Sequence, residues 1–237
     1  MIKDYISLDL EMTGLNPKID KILEIGAVKV VDGNIIEEYD RLINPGVGID
    51  ERITDITGID REMVKDCPYI EDVLPEFIDF CEDYVIIGHN LSFDYTFLKK
   101  NAVNTGLSYD KYGIDTLKIA RSCLMDLESK SLENLCRHFG IEDKNHHRAL
   151  NDAYVTHKFY RLMCEEKYVN NEKVFQPVKL EYKVKKDSPA TPRQIKNLND
   201  LIKYHKIIDD IDISRLSRSE ASRYTDKILS QYGRVKK

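Results

Sequence analysis

The sequence has no tryptophan, few glycines (11) and prolines (7), and no low-complexity tract or internal repeat. It also lacks any apolar stretch of about 18 residues, so no transmembrane helix is expected. Its five cysteines (Cys67, Cys81, Cys123, Cys136, Cys164) are scattered, and no two stand at C-x-x-C spacing. That argues against a zinc knot or a dithiol redox motif. Each lies in or beside an apolar run, where a free thiol behaves as a small core side chain. Met1-Ile2-Lys3-Asp4-Tyr5 runs directly into strand-like sequence without a cationic and then apolar leader. A cytoplasmic protein, with no membrane partner, is the expectation.

What is present suits a soluble protein with a sizeable core: 42% hydrophobic and 32% charged residues over 237 positions. This is enough for one medium domain and a small appendage. The net charge of −5 conceals a division. Residues 1–171 hold 20 Lys+Arg against 32 Asp+Glu, a net of −12, whereas residues 172–237 hold 16 against 9, a net of +7. An acidic body with a basic tail is compatible with a metal-using enzyme acting on a polyanion, although solubility alone can produce the same split.

Along the chain, residues 5–10, 22–31 and 35–43 read as three strands, the last two joined by the hairpin turn Asp32-Gly33-Asn34. Short helical pieces follow over 50–66, then a helix over 73–81 with Leu74, Phe77, Ile78 and Cys81 on one stripe. Residues 84–87 are wholly apolar, as in a central strand buried on both faces. Further helices are predicted from Ser92, over 117–124, after the cap Ser131 as far as Gly140, and from 149 to 166, with a fifth strand near 112–115. The order predicts an α/β fold: a mixed five-stranded sheet with helices on both faces. The expected division is a domain over 1–170, an extended linker over 171–190 and a basic helical hairpin over 191–237. The hairpin helices begin at Thr191-Pro-Arg-Gln194 and at the capping box Ser217-Arg-Ser-Glu220. Their apolar stripes are Ile195, Leu198 and Ile202, and Ala221, Tyr224, Ile228 and Tyr232. Lys196, Lys203, Lys206, Arg215, Arg218, Arg223 and Arg234 could face phosphates or simply water.

Four carboxylates stand out at element edges. Asp9 and Glu11, two apart on a strand, leave the same face and are costly side by side unless water or a cation receives them. Asp94 follows a strand and enters the first turn of a helix, a position that the helix dipole favours and where ligands of open α/β sheets also collect. Asp152 lies about one turn into the long helix, and His147 sits just before that helix. Singly, each has a plain structural explanation.

Together they form a pattern. Asp9-Leu-Glu-Met-Thr-Gly-Leu15, His89-Asn-Leu-Ser-Phe-Asp94 and His147-Arg-Ala-Leu-Asn-Asp152 resemble the motifs of the DEDDh 3′→5′ exonuclease superfamily. Glu24-Ile-Gly-Ala-Val-Lys29, Ile56-Thr-Gly-Ile59 and Asp115-Thr-Leu117 add to the likeness, which covers roughly residues 1–166. It is nearest to the proofreading, epsilon-type exonuclease of bacterial DNA polymerase III. The resemblance implies a ribonuclease H-like fold and two Mg²⁺ or Mn²⁺ ions held by Asp9, Glu11, Asp94 and Asp152, a hard-oxygen set that fits those ions. It also implies His147 as general base, and Met12, Thr13, Leu15, His89, Asn90 and Phe93 around the substrate. The expected substrate is a single-stranded DNA 3′ end, with a DNA polymerase subunit as a possible partner, in proofreading or repair. A tyrosine-using branch would need Tyr where Arg148 stands. Met12 replaces the Thr usual in polymerase-associated members and is also seen in oligoribonucleases, so an RNA-trimming enzyme is the rival of the same class. A non-catalytic, polymerase-associated binding subunit is the rival of another class, and it would be expected to have lost part of the acid set.

Overall fold

Alternation along the first strand organises the molecule. In the computed structural model, which describes residues 1–143, 146–207 and 211–234, β1 (Tyr5–Met12) lies at the centre of a six-stranded sheet. Its even side chains Ile6, Leu8 and Leu10 enter one core. There they meet α3 (Ile70–Cys81) and α4 (Leu91–Thr105), through Phe77, Leu91, Phe97 and Leu98. The odd side chains point to the opposite face, where Tyr5 packs with Phe159, Tyr160 and Met163 of α7 (Ala149–Lys167). On that face the Ser7 hydroxyl donates to the Ala153 carbonyl at 2.8 Å. Asp9 and Glu11 continue this odd row, so the face that is aromatic at Tyr5 becomes acidic at its far end.

The strand order is β3-β2-β1-β4-β5-β6. β2 (Ile22–Val31) and β3 (Asn34–Leu42) form the expected antiparallel meander with β1. β4 (Val85–Gly88) and β5 (Tyr112–Asp115) are parallel to β1 and carry helices between them. α1 (Glu51–Thr57) and α2 (Arg61–Val64) fill the 50–66 segment. α5 (Thr116–Cys123) and α6 (Leu132–Phe139) lead to α7, and the Ser131 cap and Gly140 stop are both observed.

The sheet has one strand more than expected. β6 (Val178–Lys179) pairs antiparallel to β5, inside the stretch read as a linker, and a 3-10 turn at Glu172–Phe175 precedes it. Val178, Leu180, Tyr182 and Val184 alternate with charges, as in an extended segment lying on a surface, and Leu180, 8% exposed, joins the core beside Gly113. Only Val178 and Lys179 of that stretch pair with β5, and the alternation does not mark which residues do. Beyond them, α8 (Pro192–His205) and α9 (Arg218–Tyr232) form the hairpin, each opened by the full capping box that its sequence predicted. Their shared core is Leu198, Leu201, Leu216, Ala221 and Ile228. Tyr232, expected on the apolar stripe, is 53% exposed because it lies in the last turn, where its ring meets His205 instead. The last residues of the basic segment, 235–237, lie outside the described residues.

Gly26 sets how closely α7 approaches the sheet. A Cβ there would lie 2.0 Å from the Leu150 backbone nitrogen. Only a residue without a side chain lets the start of α7 rest on β2, directly opposite Asp9 in the pairing register.

Candidate active site

Two segments far apart in sequence meet at this contact, with a third, the start of α4, acting on them. Carboxylate oxygens of Asp9, Glu11 and Asp152 lie within 4.8 Å of one another. Asp94, in the first turn of α4, stands outside that trio, yet among neighbouring charges it acts most strongly on Asp9. Asp94 and Asp152 are 4% and 5% exposed. Burial, then the negative charges of Asp94, Asp152 and Glu11, push the Asp9 carboxyl well above the ordinary range. Asp94 is raised by burial and by Glu11. Glu11 rises to about 8, from burial, Asp152 and Glu24. Asp152 rises to about 6, mainly from burial, with His146 opposing. Four acids whose carboxyls are all raised, chiefly by burial and in three of them also by another of the four, form a site that a polyvalent cation would relieve.

Two imidazoles border the pocket. Donor atoms of His146, His147 and Asp152 lie within 4.8 Å of one another, and the two rings are 4.0 Å apart at their centroids. His147 has φ +63°, a left-handed conformation rare for a residue with a side chain. Burial and His146 hold its pKa below the usual histidine value. His146 has Nδ1 3.1 Å from Asp143 and 3.5 Å from Asp152.

The remaining sequence candidates are placed as follows. Leu15 is 82% exposed at the tip of the β1–β2 loop. Met12 packs against the core beneath that loop, while the Thr13 N–H donates to the Lys21 carbonyl at 2.9 Å. Asn90, in a left-handed conformation, caps α4 and donates its N–H to Asp115 at 3.0 Å. Phe93 is half-buried and packs edge-on against Phe97. His89 is committed within the protein: Nδ1 lies 3.0 Å from Thr116 Oγ1 and Nε2 lies 2.8 Å from the Lys130 carbonyl. Its ring therefore ties β4 to the loop before α6.

A pair that the sequence reading did not single out holds the start of α7. Glu24 is fully buried in β2, opposite Glu11. It accepts from Arg148 Nη2 at 2.5 Å and Nε at 3.0 Å, and from the Ala149 N–H at 2.8 Å. One carboxylate thus caps the helix and grips the residue next to His147. The signal was available: a glutamate inside the apolar run Ile22–Ile25, on the same face as the acids of β1, needs a buried partner.

With this geometry in place, comparisons locate the chain among known proteins. A family model described as Exonuclease matches residues 6–160. The PolC-type DNA polymerase III of Thermotoga petrophila is 44% identical over 164 residues, covering 68% of this chain and 12% of that protein. Its counterpart in Staphylococcus haemolyticus is 32% identical over 237 residues, covering 95% of this chain and 16% of that one. The chain therefore spans less than a fifth of the length of these polymerases. Among solved structures, Exonuclease X in complex with 5′ overhanging duplex DNA aligns with a TM-score of 0.58 at 28% identity, covering 72% of this chain and 96% of that one. Exonuclease I of E. coli in complex with a dT13 oligonucleotide aligns with a TM-score of 0.66 at 20% identity, covering 73% and 44%, and supports the fold alone.

Proposed function

Because the chain belongs to the exonuclease family, we propose that it removes nucleoside 5′-monophosphates one at a time from the 3′ ends of single-stranded or frayed DNA. The observation that carries this reading is the convergence of Asp9, Glu11 and Asp152 within 4.8 Å, with Asp94 acting on Asp9 from α4. The oxygen-only donor set and its mutual repulsion fit Mg²⁺ or Mn²⁺, held by Asp9, Glu11, Asp94 and Asp152. When bound, such a pair of ions supplies the positive charge that makes a water nucleophilic and stabilises the leaving 3′ oxygen.

The rest falls to the protein's own groups. His147, with its lowered pKa, is unprotonated near neutrality and is assigned as the base that takes the proton of the attacking water. His146 is a second imidazole at the same place; its closeness to Asp143 and Asp152 supports a role in orienting Asp152. Leu15 would wedge against the terminal base, with the Met12–Thr13 backbone holding the sugar, while Asn90 and Phe93 line the far side. The relatives being DNA polymerases favours DNA over short RNA. The chain's small share of those proteins leaves trimming of 3′ ends in repair and proofreading beside a polymerase as its two roles.

The test uses a single-stranded DNA carrying a label at its 5′ end. Stepwise shortening that requires Mg²⁺ or Mn²⁺, stops with EDTA and is lost in Asp9→Ala is the expected result. Release of label as a mononucleotide would reverse the polarity, and faster cleavage of short RNA would move the substrate to RNA. His147→Ala should lose more turnover than His146→Ala; the reverse order would exchange their roles.

A further inference from the structure

The β1–β2 loop, residues 13–21, carries Leu15 and begins two residues after Glu11. Its neck is closed by one pair of residues: Thr13 donates its N–H to the Lys21 carbonyl at 2.9 Å, and the Lys21 N–H returns to Thr13 Oγ1 at 3.0 Å. Within the loop, the Asn16 N–H donates to the Asp20 carboxylate at 2.7 Å. The position of Leu15 therefore depends on what holds Lys21.

That partner comes from the other end of the chain. The Lys21 ammonium forms an ion pair with Glu220 in the first turn of α9, and the Glu220 side chain is only 6% exposed. Glu220 is itself fixed, because its Oε2 accepts the Ser217 N–H at 2.8 Å in the capping box. One turn later Arg223 donates to the Lys18 carbonyl at 3.4 Å, a second contact on the same loop. The hairpin is anchored elsewhere as well. Arg215 stacks 3.7 Å from the Tyr69 ring centroid and pairs with Glu71, and the Asp212 N–H donates to the Gly46 carbonyl at 3.1 Å. An element seated on the body at one side and on the loop at the other can fix the loop.

We propose that the C-terminal hairpin is a brace for the substrate loop: through Glu220 on Lys21 and Arg223 on Lys18 it holds residues 13–21 where Leu15 meets the terminal nucleotide. Lys21, Glu220 and Arg223 are positioning residues that set the affinity for the strand and leave the hydrolytic step alone. The proposal rests on the 3′-end reading above only for its functional consequence; the mechanical link is separate.

The experiment compares the full chain with Glu220→Gln, which can keep the capping hydrogen bond while removing the charge, with Lys21→Met, and with the double variant. Hydrogen exchange at the Thr13 and Lys21 amides is expected to quicken about tenfold in each single variant. KM for a single-stranded oligonucleotide should rise about fivefold to tenfold, with kcat within about twofold. Turnover of the p-nitrophenyl ester of thymidine 5′-monophosphate, which offers the loop its base and sugar alone, should show the same split, a raised KM with kcat within about twofold. The double variant should be no worse than the worse single, since both break one interaction. Unchanged exchange over 13–21 in folded Glu220→Gln protein overturns the brace. So does a kcat loss of about tenfold or more on either substrate, which would place the effect at the metal site. Should Glu220→Gln fail to fold, Arg223→Ala carries the test, with a KM rise of about twofold to threefold expected and an unchanged KM overturning the proposal. If the native chain hydrolyses neither substrate, the exonuclease reading falls and the exchange rates still decide the brace.

Discussion

The acidic pocket and the C-terminal hairpin treat charge in opposite ways. In the pocket, Asp9, Glu11, Asp94 and Asp152 are buried against one another, and each has a raised pKa. At the hairpin, Glu220 meets Lys21 and Arg215 meets Glu71, and just before it Asp187 meets Lys100 at 3.3 Å, so opposite signs are matched across the interface. The hairpin closes its own helices with local caps, whereas the pocket draws its residues from segments up to 143 positions apart, from Asp9 to Asp152. Matched charges hold a structure together. Mismatched charges cost the surrounding fold stability and mark a candidate site.

The comparison breaks most visibly at Asp94. Asp94→Asn should reduce turnover by about a thousandfold or more. Its metal-free melting temperature should equal or exceed that of the native chain, because a repulsive neighbour of Asp9 is gone. Activity within tenfold of native would remove Asp94 from the ion-binding set. Next in size is Arg148→Ala, which strands a fully buried Glu24. Breaking a buried pair from one side costs about 3 kcal/mol or more, and adding Glu24→Gln should recover much of it. Denaturant titration of the single and double variants measures both. A single-variant cost below about 1 kcal/mol would show that the grip on α7 is dispensable.

How far the sequence was readable follows the same division. The helical hairpin was legible down to its capping boxes, since caps and apolar stripes are local signals. β1 through β5 were legible for the same reason, and the acid set through its motifs. β6 was missed because the alternation over 178–184 marks an extended segment without marking its partner, and its place depends on Leu180 packing where Gly113 has no side chain. The Glu24–Arg148 grip was missed because its partners are 124 positions apart. His89, which the resemblance sets near the substrate, has its two ring nitrogens on Thr116 and Lys130, contacts made across loops that carry no sequence period.

A smaller effect tests the mismatch by pH. Glu11 is shifted up from 4.5 to about 8 and Asp152 from 3.8 to about 6. A raised carboxylate stabilises the folded chain in its protonated form. That contribution is whole below the unfolded pKa and is lost as pH climbs through the folded value. The metal-free protein should therefore melt at progressively lower temperature from about pH 5 to pH 8. Glu11→Gln should flatten the decline, gaining about 1–2 kcal/mol at pH 8, a shift of roughly 5 °C. Added Mg²⁺ should stabilise the native chain more as pH rises, since fewer protons compete for the site. A flat native profile without metal would mean that the acids are not mutually destabilising.

The smallest effect probes the matched side. Thr191 caps α8, and its capping box with Gln194 is complete within four residues. Thr191→Ala should cost about 1 kcal/mol. Turnover should be unchanged within about twofold, because Thr191 touches neither the loop nor the pocket. The informative feature is where the loss appears. If the hairpin is coupled to the body through Lys21–Glu220 and Arg215–Glu71, one thermal transition shifts as a whole. If the hairpin melts on its own, an early second transition appears while the main one stays in place. The first outcome makes the hairpin part of the cooperative unit that holds the acids together, and the second confines the matched region to its own local stability.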